Sequence, residues 1–189
     1  MPALIFPPEL LLKAQGRALG VKAALFDVDG VLTDGRLFIG ESGEAFKAFS
    51  VLDGQGLKLL ALGGITPLVV TGRDSPALRR RVSDLGLPHA VYGAQDKLAA
   101  ANTLLATLQL EWDDVAVMGD DWPDLPLMAR AAFACAPANA HAEVRAVAHH
   151  VTAARGGEGA ARECCDLLLM AAGRYAALLQ SQLTTLDRA

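Results

Sequence analysis

The sequence predicts an α/β fold built on a parallel sheet with helical crossovers. Short apolar runs recur at Lys22–Asp27, Thr66–Thr71, Ala90–Tyr92, Asp114–Met118 and Ala131–Ala134, and helix-like stretches separate most of them. Several of these runs end in polar residues beside a glycine, as strands of an open parallel sheet do where they meet a ligand. With 189 residues, 52% of them hydrophobic and 20% charged, the chain is large enough to bury a core, and one domain is expected.

Taken in order, the chain opens on a proline-bearing extension, residues 1–20, and enters its first strand at Lys22–Asp27. The stretch Arg36–Phe49 breaks the alternation and reads as two short strands around a Gly-Glu-Ser-Gly turn, an inserted β-hairpin. Its apolar side chains suit either cover for a neighbouring subunit or packing on its own domain. A helix is expected over Gly54–Leu62, then a strand over Thr66–Thr71. The helix Pro76–Leu85 has Ser75 as N-cap, Pro76 at its first position and Gly86 as its stop. After Ala90–Tyr92 come a helix over Asp96–Leu108, the strand Asp114–Met118, a short helix over Leu125–Ala129 and the strand Ala131–Ala134. Gly156-Gly157-Glu158-Gly159 forms a flexible loop before a last helix, Ala160–Ala172. A polar tail is expected from Leu178 onward.

A formal charge of -4 and a sequence pI near 5.5 give no basic field for a nucleic acid or an anionic membrane, so small ligands are expected. Cys135, Cys164 and Cys165 match neither a metal knuckle nor a disulfide framework and read as small buried residues of a reducing compartment. The N-terminus does not read as a signal peptide, and the apolar runs are too short to span a bilayer. A cytoplasmic protein is expected.

The chemistry starts at Asp27-Val28-Asp29-Gly30, where a buried strand ends in clustered carboxylates. Like charges there repel and lose hydration unless a cation compensates or one of them keeps a proton, so a metal site or an acid–base pair is implied. Hard oxygen ligands without His or Cys suit magnesium better than zinc. A second strand repeats the pattern at Gly119-Asp120-Asp121-Trp122-Pro123-Asp124. Between them, Thr71-Gly72-Arg73 ends a strand in a hydroxyl and a glycine ahead of a helix, a suitable phosphate cradle. Lys97 opens a helix where a cation opposes the macrodipole, which hints at another use. Together these parts describe phosphoryl transfer. Asp27 attacks phosphorus, Asp29 handles the proton, and magnesium and Lys97 offset the anionic charge.

In order, Asp27–Asp34, Thr71-Gly72-Arg73, Lys97 and Gly119–Asp124 resemble the four motifs of the haloacid dehalogenase-like phosphatases. More narrowly, these segments with the hairpin, Phe49–Gly54, Thr71–Arg81 and Gly156–Glu163 resemble the 3-deoxy-D-manno-octulosonate 8-phosphate phosphatase subfamily. The resemblance implies a Rossmann-like parallel sheet with helices on both faces, no large cap domain and a small hairpin inserted after the first strand. It divides the chain into an extension (1–20), the phosphatase domain (21–173) and a tail (174–189). It also implies a Mg2+-dependent phosphatase of a sugar-acid phosphate used in lipopolysaccharide synthesis, assembled as a homotetramer through its hairpins. Carried onto this sequence, the family pattern makes Asp27 the nucleophile and Asp29 the acid and base. Thr71 and Lys97 bind phosphate, with Gly72 beside Thr71. Asp27, Asp120 and the Asp29 carbonyl hold magnesium, and Asp121 and Asp124 position them. Arg73 is a candidate substrate contact.

Two positions depart from the subfamily: Leu52 and Glu158 stand where a basic residue is usual, which removes positive charge from the region expected to meet a sugar-acid carboxylate. A related nonulosonate phosphate or a broader sugar-phosphate range is the alternative substrate. A catalytically silent assembly module and a phosphotransferase are the alternative functions. Arg79, Arg80 and Arg81 read as a solvated helix face, Trp122 and Pro123 as residues that shape the acidic loop. His89, His141, His149 and His150 show no ligand spacing.

Overall fold

The computed structural model describes residues 4–41 and 43–186. Six strands form one parallel sheet: β1 (Ala23–Phe26), β4 (Thr66–Val70), β5 (Ala90–Val91), β6 (Val115–Met118), β7 (Phe133–Ala136) and β8 (His150–Val151), in the order β5-β4-β1-β6-β7-β8. The chain builds outward from β1 on one side, then returns to its other side with β6. That reversal leaves a crevice beyond the carboxyl ends of β1 and β6.

The alternation of β1 explains why the sheet is covered twice. Ala24 and Phe26 face a core shared with α1 (Pro8–Ala18), α2 (Val51–Leu62), α3 (Pro76–Leu85) and α7 (Ala160–Ala171). Ala23 and Leu25 face a second core shared with α4 (Lys97–Leu108), α5 (Leu125–Met128) and α6 (Ala142–Val147). Every residue of β1, β6 and β7 is buried, as expected for parallel strands covered on both faces. Helices α2 and α7 pack closely because Gly56 leaves room for the backbone of Arg162. The gain in contact offsets the roughly 1 kcal/mol that a helical glycine costs.

The hairpin pairs β2 (Phe38–Gly40) with β3 (Gly43–Phe46) in a separate antiparallel sheet, with the Phe38 and Phe46 rings stacked at 4.4 Å. Ile39 and Phe46 remain 65% and 55% exposed. Ser42 of the expected turn lies outside the described residues, as do residues 187–189 of the expected tail.

Ser75 and Gly86 bound α3 as expected: the serine Oγ accepts the Leu78 N–H, and the glycine adopts φ 67°. Elsewhere the boundaries move. Helix α2 starts at Val51 rather than Gly54, because Ser50 is its N-cap and accepts the Asp53 N–H. Strand β7 lies two residues beyond the expected Ala131–Ala134. The Ala131 and Ala132 N–H groups are taken by Leu127, Trp112 and Val115 carbonyls, which turn the chain before it can pair. Helix α6 was not anticipated. The tail is helical, as α8 (Tyr175–Leu186), and packs on α7. Arg79 and Arg80 are solvated and paired with Asp74 and Asp84, but Arg81 turns inward, donates to the Ser50 carbonyl and lies over the Phe49 ring.

Candidate active site

Phe26 pairs with Val69 on one side and Met118 on the other, so Asp27 lies level with Val70 and Gly119, and Thr71 follows one residue further along β4. The Asp27 N–H still donates to the Met118 carbonyl at 3.0 Å, which holds the residue in register as its side chain enters the crevice. Asp27 is 5% exposed.

The loop after Asp27 is wound around its own backbone. The Val31, Leu32 and Thr33 N–H groups converge on the Val28 carbonyl, and Thr33 Oγ1 accepts from Gly30 and Gly35 N–H. Gly30 adopts φ 94°, and a Cβ there would overlap the Asp120 carboxylate, so both backbone conformation and space demand glycine. Gly156 and Gly157 close the loop from behind. A Cβ on Gly156 would overlap the Gly30 carbonyl, and Gly157, at φ 71°, donates to the Val31 carbonyl at 3.0 Å. Arg155 and Glu158 stand exposed at the two ends of this turn.

Asp124 organises the second acidic strand end. One carboxylate oxygen accepts the N–H groups of Asp120 and Asp121 at 3.1 and 3.4 Å; the other accepts Lys97 Nζ at 2.7 Å. Lys97 Nζ also reaches Asp27 Oδ1 at 2.8 Å. Lys97, Asp27 and Asp124 thus form a buried chain, with side chains 9%, 7% and 3% exposed. Burial opposes the lysine charge, but Asp27 and Asp124 overcome it and hold the ammonium above its usual range.

Oxygens of Asp27, Asp120 and Asp124 lie within 4.8 Å of one another. Three carboxylates therefore face one ammonium, and the excess is visible in their protonation. Burial, then the neighbouring charges of Asp27 and Asp124, push Asp120 up to about 8. Burial and Asp124 push Asp27 up to about 6, against the pull of Lys97. Asp120 Oδ1 is buried without a hydrogen-bond partner. A hard divalent cation fits this all-oxygen group, because it would restore charge balance and occupy the orphaned atom.

Thr71 is 1% exposed, and its Oγ1 accepts the Arg73 N–H at 3.3 Å, so the backbone turns toward the crevice. Gly72 has no positive φ, and a Cβ there would have ordinary contacts, so its glycine is not dictated by space. Arg73 is 44% exposed and lies 3.7 Å from Asp29 Oδ2 and 3.4 Å from Glu44 Oε2. Asp121 is exposed outside the carboxylate group and caps the turn at Trp122, whose indole N–H donates to His141 Nδ1. The His141 backbone N–H donates to the Asp120 carbonyl at 2.8 Å.

Two residues that sequence reasoning passed over complete the site. Lys47, just past β3, contacts Asp29 Oδ1 through Nζ and reaches Glu44 Oε2 at 3.1 Å. Their only signal in the sequence is a charged pair, three residues apart, inside an apolar hairpin.

The pattern that defines haloacid dehalogenase-like hydrolases matches residues 91–163. The 3-deoxy-D-manno-octulosonate 8-phosphate phosphatase KdsC of Yersinia pestis is 44% identical over 155 residues, 82% of this chain and 83% of the relative. A probable YrbI family phosphatase from Pseudomonas syringae superposes with a TM-score of 0.88 at 46% identity, covering 91% of this chain and 98% of the other. The Moraxella catarrhalis 3-deoxy-D-manno-octulosonate 8-phosphate phosphatase, solved with magnesium ion, phosphate ion and KDO, superposes with a TM-score of 0.85 at 37% identity, covering 93% and 99%. With its fold, its glycine-locked acidic loop and its relatives in agreement, the chain belongs to the 3-deoxy-D-manno-octulosonate 8-phosphate phosphatase family of haloacid dehalogenase-like hydrolases.

Proposed function

We propose that the protein is a Mg2+-dependent phosphatase that hydrolyses 3-deoxy-D-manno-octulosonate 8-phosphate through an aspartyl-phosphate. The observation that carries this reading is the pairing of Asp27 with Lys97 inside an over-acidic buried group, on a chain so similar to phosphatases of that substrate. Asp27, Asp120 and the Asp29 carbonyl would hold the ion. When bound, Mg2+ supplies Lewis-acid stabilisation of the phosphoryl oxygens and cancels the carboxylate excess.

Lys97 orients Asp27 for attack, and its charge reduces the repulsion between an anionic nucleophile and an anionic ester. Thr71 and the backbone through Gly72 and Arg73 receive phosphate oxygens. As Asp27 bonds to phosphorus, the ester P–O bond breaks and Asp29 gives its proton to the departing alcohol oxygen. Asp29 then takes a proton from water as that oxygen attacks phosphorus and the bond to Asp27 breaks. Asp124 keeps Lys97 and the Asp120 backbone in place, and Asp121 caps the loop.

The test measures phosphate release from that ester beside a panel of sugar phosphates, with magnesium and with chelator, and with Asp27→Asn as the blank. Magnesium-dependent release confined to the named ester supports the assignment; release across the panel discards that substrate but keeps the phosphatase. The second reading, a related nonulosonate or wider sugar-phosphate range, is favoured by Leu52 and Glu158, both exposed and neither basic. No release from any ester would leave the silent assembly module and the phosphotransferase, which phosphorylation of an added acceptor separates.

Residues 21–173 form the catalytic unit in this proposal. The exposed Ile39 and Phe46 of the hairpin support a homotetramer, and a monomeric mass in solution would remove that part; the three free cysteines suit the reducing cytoplasm. Among the described residues no helix is long and apolar enough to cross a membrane.

A further inference from the structure

The Asp29 carboxylate sits on the hairpin side of the crevice, where Lys47 Nζ contacts its Oδ1. Among the described residues this is the hydrogen bond that the carboxylate receives, since Oδ2 is buried with no hydrogen-bond partner and Arg73 Nε stays 3.7 Å away. The Lys47 side chain is 1% exposed and that of Glu44, its second partner at 3.1 Å, is 9% exposed. Burying an ammonium is unfavourable unless it is paired on arrival, so Glu44 fixes where Lys47 can reside. From that place Lys47 selects one rotamer of Asp29.

We propose that Lys47, seated by Glu44, is a positioning residue that aims the Asp29 carboxyl at the oxygen of the departing alcohol. The proposal rests on the reading of Asp29 as acid and base. In the first step the Asp27 oxygen forms a bond to phosphorus, the P–O bond to the alcohol breaks with its electron pair on the alcohol oxygen, and the Asp29 proton moves to that oxygen. Lys47 gains and loses nothing; it sets the line of transfer. A proton donor must lie within hydrogen-bond reach of its target, and a carboxyl free to change rotamer meets that condition only part of the time.

The leaving group separates this role from a structural one. An alkyl oxygen of a sugar leaves poorly without a proton, whereas nitrophenolate leaves without one. The experiment compares kcat/KM, which reports events through the first bond cleavage, for the sugar phosphate and for p-nitrophenyl phosphate under saturating magnesium. For Lys47→Met the expected loss is on the order of 100-fold with the sugar phosphate and under about 3-fold with the aryl ester, given the usual worth of positioned proton transfer. Slow hydrolysis of the aspartyl-phosphate should also produce a burst of nitrophenolate. Lys47→Arg should recover part of the loss with the sugar phosphate. Glu44→Gln should show the same leaving-group pattern at smaller size, and it carries the test if Lys47→Met does not fold. Equal losses with both esters overturn the proposal and leave the phosphatase intact; a wild-type protein that cleaves neither ester overturns both.

Discussion

The crevice holds two clusters of carboxylates and cations, and they differ in balance. At the strand ends, Asp27, Asp120 and Asp124 face the single ammonium of Lys97, and two of the acids are driven far above the usual carboxylate range. On the hairpin side, Asp29 and Glu44 face Lys47 and Arg73, so two acids meet two cations. The first cluster needs a cation from outside; the second is balanced in formal charge, although Asp29 Oδ2 and Glu44 Oε1 are buried without hydrogen-bond partners. The lesson is that charge deficit, more than the number of acidic groups, distinguishes a metal centre from an ion-pair network of the same residue types.

The sharpest test of the first cluster is its proposed nucleophile. Asp27→Asn should lower phosphate release by roughly 10⁴-fold or more, while the protein still binds phosphate. A residual rate within tenfold of wild type would remove Asp27 from the chemistry. Next, Gly30→Ala would force a Cβ onto the Asp120 carboxylate at a φ that disfavours side chains, so magnesium-dependent turnover should fall by ~100-fold or more. Titration calorimetry with magnesium should show the same weakening without substrate.

Stability offers a comparison of the two clusters without turnover. Lys97→Met leaves buried acids uncompensated, a change that typically costs about 3–5 kcal/mol, or roughly 6–20 °C in Tm for a chain of this length. Arg73→Met removes a part-exposed cation worth about 0–1 kcal/mol and should shift Tm by less than about 4 °C. Similar shifts for the two variants, read by differential scanning calorimetry, would break the distinction.

The sign of the pH dependence follows from the raised acids. Asp27 and Asp120 are protonated more readily in the folded state than in the unfolded chain, so without metal their contribution is fully present below pH 4. It is lost as pH rises through about 6 and about 8. Magnesium binds the deprotonated acids, so its stabilisation grows over the same interval. Saturation near 100 Kd gives about 2.7 kcal/mol, or roughly 5–11 °C in Tm. The Tm gain on adding a fixed magnesium concentration should therefore be larger at pH 8 than at pH 5. A gain independent of pH would remove the carboxylate excess as the basis of the site.

The strand-end cluster could be read from the sequence because its parts sit at strand ends that apolar runs announce. Asp27 and Thr71 end such runs and Asp120 follows one after Gly119, and parallel pairing brings them together without further information. Lys97 gains its meaning from its order among the other motifs, since a cation opposed to the helix macrodipole is by itself only a hint. The hairpin cluster could not be read in this way. Lys47 and Glu44 reach Asp29 through a separate two-stranded sheet whose placement over the crevice depends on tertiary packing, and no local periodicity encodes it. An alanine-rich stretch explains the shift of β7. Ala131 to Ala134 suit helix, turn and strand alike at this burial, and carbonyl partners at Trp112 and Val115 decide where pairing starts. Arg81 was misplaced because a run of three arginines hides the one whose helix position faces Phe49.

The turn at Gly156 and Gly157 lies backbone against backbone on the loop that carries Asp29. Neither glycine can acquire a side chain without displacing that loop, so only the ends of this turn accept other residues freely. Arg155 and Glu158 occupy those ends and face solvent. Inheritance thus has two adjustable letters beside a pair fixed by lack of space, and change at this turn is confined to positions that leave the acidic loop where it is.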